Sequence, residues 1–241
     1  MLPSKRGDCK VAVQVKSKSR VQDHGEVFTN EREVNAMLDM VKQETERIDS
    51  RFLEPACGDG NFLAEVLRRK LDVVRSRYRR SLFEYEKYAF IAVGSIYGVD
   101  ILEDNTQECR DRLFSIVVED YLPVCRKSPT PGFLEAIRFV IGKNILCGNA
   151  LSLKTVDSSG SDTDEPIIFC EWSLVGDKVK RLDYRFDEML EGSASQTQFS
   201  LFGLSGTPTS EWELDEETGA MIPKPIREYP LVALCEVGRH E

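Results

Sequence analysis

A glycine-rich turn, Cys57-Gly58-Asp59-Gly60, constrains the fold more than any other feature of this sequence. It follows a segment at 51–55 that predicts a short strand, and it precedes a helix that begins at Asn61. Glycine lets the chain turn sharply out of a strand and lets a ligand approach the backbone. The free N–H groups of the first helical turn bind anionic groups such as a carboxylate. The pattern predicts a ligand-binding strand–turn–helix unit.

Two later strand ends carry polar residues in corresponding positions. Asp100 lies near the end of the predicted strand at 95–101, and its carboxylate can accept hydrogen bonds from both hydroxyls of a ribose. Ile101 follows it and can pack on an adenine ring. Asn149 follows the strand at 144–147 and offers an oxygen to an adenine amine, while Leu151 can cover the base. Glu54, just before the first turn, can orient that turn or hold an ammonium group.

Strands alternate with helices along residues 30–147, which favours an α/β fold with a doubly wound, mainly parallel sheet. Asn30 and Glu33 form a capping box that predicts a helix start. In such sheets ligands bind at the carboxyl ends of the strands, where the polar residues lie. The other predicted elements are helices at 82–93, 103–118 and 133–141, an acidic loop at 157–165, a hairpin of strands 167–174 and 178–186, and a strand at 231–236.

Three motifs give the chain a family resemblance over residues 25–152. The segment EPACGDGNFL resembles motif I of adenine-N6 DNA methyltransferases, YGVDI resembles motif II, and LCGNAL resembles motif III. The upstream GEVFTN resembles the family's G-x-x-F-T-P segment. The resemblance implies a class I S-adenosylmethionine (SAM)-dependent methyltransferase fold with SAM as cofactor. The SAM-binding residues it implies are Thr29, Glu54, Ala56, Gly58, Gly60, Asp100, Ile101, Asn149 and Leu151.

The sequence departs from this family at the target-base site. These enzymes carry an Asn/Asp-Pro-Pro-aromatic tetrapeptide that binds the flipped base, and the chain has no such tetrapeptide. The corresponding strand, 166–173, contains Glu171 and Trp172, which supply an acceptor and an aromatic ring. These two are weak catalytic candidates, and a structural pair at a strand end is the alternative. Asn30 and Asn149 also stand where the family has Pro and commonly Asp.

Domain lengths bear on how the chain would reach its target. We expect a basic disordered arm at 1–22, a SAM-binding methyltransferase-like domain at 23–190, and an irregular acidic tail at 191–241. The tail is too short for a target-recognition domain, so DNA recognition would need a partner chain, such as another restriction-modification subunit. Two functions stay open: a DNA adenine-N6 methyltransferase or modification subunit, and a catalytically inactive accessory protein of a defence or modification system. Transfer to RNA or protein is neither supported nor excluded.

Charge, cysteines and short motifs limit the remaining function classes. The net charge of −9 differs from the basic surface of proteins that grip DNA alone, although basic residues cluster in the arm and at 68–80. Only two histidines and no CxxC pair are present, so we expect reduced thiols and no metal site. No apolar run suggests a signal peptide or membrane span, which favours a cytoplasmic protein. The segment Gln198–Phe202 resembles a sliding-clamp binding peptide, with a hydrophobe packed on the domain as the alternative.

Overall fold

The computed structural model describes residues 20, 29–125, 129–189, 212–214 and 221–239. The first group of helices and strands occupies residues 31–100 and includes the strand–turn–helix unit that the glycine-rich turn predicts. Its elements are α1 (Glu31–Met40), α2 (Lys42–Thr45), β1 (Phe52–Glu54), α3 (Asn61–Tyr78), α4 (Leu82–Gly94) and β2 (Ile96–Asp100). The next group is α5 (Glu103–Cys125), α6 (Phe133–Asn144), β3 (Ile145–Asn149), β4 (Lys154–Val156) and β5 (Asp162–Pro166). The helices thus form as expected, with α5 and α6 running a few residues further.

Five strands form a mixed sheet in the order β1-β2-β3-β4-β5. The strands β1, β2 and β3 are parallel, whereas β4 and β5 pair antiparallel. The predicted α/β character is therefore confirmed, while only the first three strands are parallel. The prediction of a loop across 157–165 is wrong in its second half, because Asp162–Pro166 pairs as a strand with β4. Within the described part of the chain, no strand pairs with the outer edge of β1.

The two faces of this sheet pack against different partners. Ile96 and Ile145 lie on the face that packs against the helices, in the larger hydrophobic core. Tyr97 and Val99 point to the other face, because side chains alternate along a strand. They pack there with Ile167, Phe169 and Phe186 in a second core. The helices therefore gather on one face, and segments following β5 cover the other. The predicted doubly wound arrangement, with helices on both faces, is not found in the described part of the chain, because β1, β2 and β3 lie in chain order and right-handed crossovers then place the helices on the same face.

A second sheet is built from the remaining strands. Its strands are β6 (Ile168–Val175), β7 (Lys178–Arg185), β10 (Arg227–Glu228) and β11 (Val232–Ala233). The predicted hairpin is confirmed: β6 and β7 pair antiparallel through a turn in which Gly176 has φ 63°. Both β10 and β11 pair with β7, and a 3-10 helix at Leu234–Arg239 follows. The predicted C-terminal strand is thus shorter, and residues 227–239 pack onto the hairpin and α6.

Two smaller features complete the described residues. A short antiparallel pair, β8 (Trp212–Leu214) and β9 (Met221–Pro223), lies within the predicted tail. The Asn30 side chain caps α1 by accepting from the Arg32 amide at 2.9 Å, one residue earlier than a capping box requires. Among the helices described, none has the length and apolar character needed to cross a membrane. The arm at 1–19 and the Gln198–Phe202 segment lie outside the described residues.

Candidate functional site

The carboxyl ends of β1 and β2 meet through a hydrogen bond between two predicted site residues. The Gly58 amide donates to Asp100 Oδ2 over 2.9 Å. The second carboxylate oxygen, Oδ1, accepts from the Leu102 amide at 2.9 Å and from Asn105 Nδ2 at 3.2 Å. The parallel pairing of the strands places these ends side by side. The residues that the motifs assign to the methionine part and to the ribose of SAM are therefore in direct contact.

Glycine is required in this turn by both backbone angle and space. Gly58 and Gly60 have φ values of 52° and 85°, a region that other residues rarely adopt. A Cβ at Gly60 would lie 2.6 Å from the Cys109 Sγ, and one at Gly98 would lie 3.1 Å from the Cys57 Sγ. The turn is thus packed closely onto β2 and α5, with its backbone held in a single shape.

Two thiols lie beneath the turn. Cys57 and Cys109 are buried and free, and their side chains contact each other. This contact, together with burial, raises the pKa of the Cys57 thiol. Protonated thiols of this kind pack as small apolar groups, so their part here is to support the turn. The predicted reduced state fits the free thiols at Cys57, Cys109, Cys147 and Cys170.

An ion pair that the motifs do not reveal ties the turn to α5. Arg112 Nη2 donates to Asp59 Oδ2 at 2.7 Å, and Arg112 also bonds the Asn61 side chain. Arg112 lies about fifty positions along the chain from both partners, so no local sequence pattern indicates this contact. It orients the first residue of α3, whose N-terminus points toward the turn. On the other side of the turn, burial raises the pKa of Glu54, which the Ala56 amide partly offsets by hydrogen bonding.

A second network that sequence reasoning missed orients Asp100. Asn105 is buried, and its amide nitrogen donates to Asp100 while its oxygen accepts from Arg20 Nη2 at 3.1 Å. Arg20 also donates to Asp104 through both terminal nitrogens. The arginine therefore fixes which way the Asn105 amide faces, and Asn105 in turn holds Asp100. Only a contact between the arm and α5 could reveal this, because 85 positions separate Arg20 from Asn105.

The third strand end lies beside the second, as predicted. β3 pairs with β2 with Cys147 opposite Asp100, and the Cys147 thiol donates to the Ile101 carbonyl oxygen at 3.6 Å. Burial raises the pKa of Cys147 to about 12. Asn149 Oδ1 accepts from the Leu151 amide at 3.0 Å, and its Nδ2 donates to Asp162 at 2.9 Å. Leu151 is 76% exposed, an apolar side chain in water at the edge of this site.

Most of the GEVFTN segment, which is predicted to line the SAM pocket, lies outside the described residues. Thr29 is exposed at the start of the described segment, and residues 25–28 of the GEVFTN motif lie outside it. Two cavities lie away from the turn, one between β7 and the C-terminal residues and the other between α6 and the 3-10 helix. The described part of the candidate site consists of the three strand ends.

The two weak catalytic candidates lie away from this edge. Glu171 Oε1 accepts from Arg51 Nη2 at 2.7 Å, and Arg51 precedes β1 whereas the turn follows it. Trp172 is 7% exposed, and its Nε1 donates to Asn144 Oδ1 at 3.2 Å in the core between β6 and α6. The residues are neighbours on β6, so their side chains point to opposite faces. The structure brings neither of them to the strand ends that carry Gly58, Asp100 and Asn149.

Known proteins offer no independent assignment. In the ranges that the structure describes, no three histidine, cysteine or acidic side chains group as metal ligands. The chain matches no protein-family model, no curated protein and no solved structure.

Proposed function

We propose that this chain is a SAM-binding, methyltransferase-like protein of the class I fold, acting in DNA adenine-N6 methylation with a partner chain for DNA recognition. The observation that supports it best is the hydrogen bond between the Gly58 amide and Asp100 Oδ2, at 2.9 Å. It holds a glycine-rich turn and a strand-end carboxylate together at the carboxyl edge of parallel strands, where α/β sheets bind nucleotides.

The side chains around that bond have the chemistry that SAM requires. The α3 N-terminus and the turn amides suit the methionine carboxylate, and Glu54 suits its ammonium. Asp100 suits the ribose hydroxyls. Ile101 and the exposed Leu151 are apolar and suit the two faces of adenine, with Asn149 at the amine. When bound, SAM would supply an electrophilic methyl group on its sulfonium.

Not every hydrogen-bonding position is open for the ligand. Asp100 already accepts from Gly58, Leu102 and Asn105. Asn149 Oδ1 already accepts from Leu151. A carboxylate has about four lone-pair positions, so Asp100 retains capacity for one further donor. Binding of both ribose hydroxyls by Asp100 would therefore displace at least one present donor.

A catalytically inactive accessory protein is the second candidate, and a specific observation favours it. Trp172 is buried against Asn144, and Glu171 is paired with Arg51, so neither weak candidate reaches the turn. A target-base site would have to be formed by other residues of the chain or by a partner chain.

Calorimetric titration of SAM into the purified chain tests the proposal, with Asp100→Ala as the key variant. Asp157→Ala is the matched control, because Asp157 also accepts from two backbone amides, those of Ser159 and Ser161, but in an exposed turn far along the chain. We expect micromolar binding, weakened at least tenfold in Asp100→Ala and unchanged in Asp157→Ala. Absence of binding at millimolar SAM would contradict the proposal.

Transfer of a labelled methyl group separates the two candidate functions once binding is established. The purified chain is incubated with labelled SAM and with duplex DNA, single-stranded DNA or RNA. Labelled adenine in DNA supports the enzyme and contradicts the accessory protein. Tight SAM binding without transfer supports the accessory protein when transfer is also absent after a candidate partner chain is added. Gly58→Val should abolish both binding and transfer, because valine cannot adopt the positive φ of this position.

A further inference from the structure

The basic stretch at 68–80 separates into two groups of residues in the structure. Most of its charges are neutralised locally. Arg68 pairs with Glu65, Arg69 with Glu65 and Asp39, and Arg75 with Asp72 and Asp120. Lys70 is fully buried and bonds backbone oxygens. These residues hold α3 against its neighbours and offer little positive charge to solvent.

The remaining three arginines are exposed. Arg77, Arg79 and Arg80, which we call the arginine corner, follow one another at the carboxyl end of α3. Arg77 contacts the Tyr78 hydroxyl. Within the described residues, no carboxylate lies within ion-pair distance of any of the three. The net charge of the chain is −9, so three neighbouring arginines without carboxylate partners form a local positive patch. Such a patch can bind a polyanion.

The backbone at this corner is held in place by hydrogen bonds. The Arg79 amide donates to the Arg75 carbonyl at 3.2 Å, and the Ser81 amide donates to the Tyr78 carbonyl at 2.9 Å. Ser81 then caps α4 by accepting from the Glu84 amide at 3.3 Å. Tyr78 stacks on Tyr88 of α4, with ring centroids 4.1 Å apart and planes 5° from parallel. These contacts hold the backbone that carries the three arginines in one conformation, which lowers the entropy cost of binding a ligand.

An exposed aromatic ring lies next to the corner. Phe83, in the first turn of α4, is 54% exposed. Lys87 Nζ lies 5.1 Å from the centroid of this ring, and its charge is paired with Glu84 and Asp177. Arginine forks match phosphate oxygens, and an exposed ring beside them offers a face on which a base can stack.

We infer that the arginine corner, with Phe83, is a contact site for the sugar-phosphate backbone of a nucleic acid. The corner lies one helix length from the glycine-rich turn, about 27 Å for the 18 residues of α3. A strand bound there could extend to the strand ends, since nucleic acid covers such a distance in about eight base pairs. The inference rests on the proposed function only in taking nucleic acid as the substrate class; the charges of the corner are independent of SAM.

Fluorescence anisotropy with labelled 20-nucleotide single-stranded and duplex DNA tests this, at salt concentrations between 50 and 300 mM. The test variant is Arg77→Gln/Arg79→Gln/Arg80→Gln. The matched control is Lys42→Gln/Arg47→Gln/Arg68→Gln, because those side chains are also exposed and basic but each is ion-paired with a carboxylate. Both variants change the net charge by the same amount. Phe83→Ala tests the stacking contact separately.

The corner variant should weaken binding at least tenfold and reduce the slope of log affinity against log salt by about two to three, one phosphate contact per arginine. The control should change affinity less than threefold, and Phe83→Ala should weaken single-stranded binding more than duplex binding. Equal losses in both triple variants, no binding by the native chain at 50 mM salt, or stronger corner-dependent binding to anionic lipid vesicles would overturn the inference. Calorimetry with SAM on the same corner variant should be unchanged, so a failure of the proposed function is seen separately.

Discussion

Gly58 and Asp100 are bonded to each other across the ends of two neighbouring strands, the amide nitrogen 2.9 Å from Oδ2. The same carboxylate accepts from the Leu102 amide and Asn105. The Asp100 side chain therefore fixes the positions of the glycine-rich turn and of the start of α5 relative to the end of β2. Asp100 therefore has a structural role in the ligand-free chain, in addition to its proposed role in binding ribose.

Replacing Asp100 should destabilise the protein in the absence of any ligand. Asp100→Ala leaves the Gly58 and Leu102 amides without their acceptor, and we expect a loss of about 2 kcal/mol in the free energy of unfolding. Urea denaturation measures this value. Asp157→Ala, which removes a comparable but exposed acceptor, should cost less than about 1 kcal/mol. Equal costs for the two variants would contradict a special structural role for Asp100.

Asn105 should act on the site through Asp100. We expect Asn105→Ala to cost about 1–2 kcal/mol of unfolding free energy in the native chain and clearly less in the Asp100→Ala background, because contacting residues are not additive. A double-mutant cycle by urea denaturation gives the coupling. Arg20→Ala should have a smaller effect, since its ion pair with Asp104 is partly exposed. Fully additive costs for Asn105 and Asp100 would show that the 3.2 Å contact carries no energy.

Gly60 should tolerate no side chain. Gly60→Ala forces a φ of 85° on alanine and sets its Cβ against the Cys109 thiol, so we expect a loss of about 2–3 kcal/mol. Adding Cys109→Ala should recover the part of the loss that comes from the clash and leave the part that comes from φ. Gly142→Ala, in α6 with no atom within 4 Å of its Cβ position, should be neutral or stabilise by up to about 1 kcal/mol. Thermal unfolding of the native chain and these three variants compares them.

Lys70 should make stability depend on pH in the neutral-to-alkaline range. Burial lowers the pKa of Lys70 to about 7, from 10.5 for an exposed lysine. Between these values the unfolded chain binds more protons than the folded chain, so stability rises with pH from about 7 to 10.5, by at most about 1.4 kcal/mol per pH unit. Lys70→Met should remove this slope, whereas Lys87→Met should retain it. Urea denaturation at pH 7, 8 and 9 measures the slopes, and parallel curves for the native chain and Lys70→Met would refute the assignment.

Two arginine–aspartate pairs on the same strand and its extension allow a matched test of burial. Arg181 forks onto Asp183 at 2.8 and 2.9 Å with both side chains under 10% exposed, and Tyr229 also donates to Asp183. Arg185 forks onto Asp187 at 3.1 and 2.6 Å with both side chains about one-third exposed. Asp183→Asn should cost about 3 kcal/mol because it leaves a buried cation, and Asp187→Asn less than about 1 kcal/mol. Chemical denaturation distinguishes the two, and similar costs would show that burial does not decide the strength of these pairs.

The turn and strand ends that form the candidate site could be predicted from the sequence, whereas the side chains that hold them could not. The turn at 57–60 and the residues Asp100 and Asn149 can be read from a strand pattern followed by a polar or glycine residue, because strand ends in a parallel sheet meet at one edge. Arg112, Asn105 and Arg20 hold this edge in place without any local signature. Arg112 and Asn61 are 51 positions apart and Arg20 and Asn105 are 85 apart, whereas Asn105 bonds Asp100 across 5 positions.

The sequence by itself determined the local units: the β1–turn–α3 unit, the three successive strand ends, and the β6–β7 hairpin around Gly176. Backbone angles and side-chain periodicity specify these over a few residues. Only the tertiary structure decided that β6 leaves the first sheet, that Trp172 is a core residue, and that Arg77, Arg79 and Arg80, at the end of α3 and just beyond it, are exposed without carboxylate partners among the described residues. Each of these outcomes depends on contacts between segments that are far apart in the sequence, such as the pairing of Arg51 with Glu171 across 120 positions. Only the packing of the folded chain determines which of these contacts form.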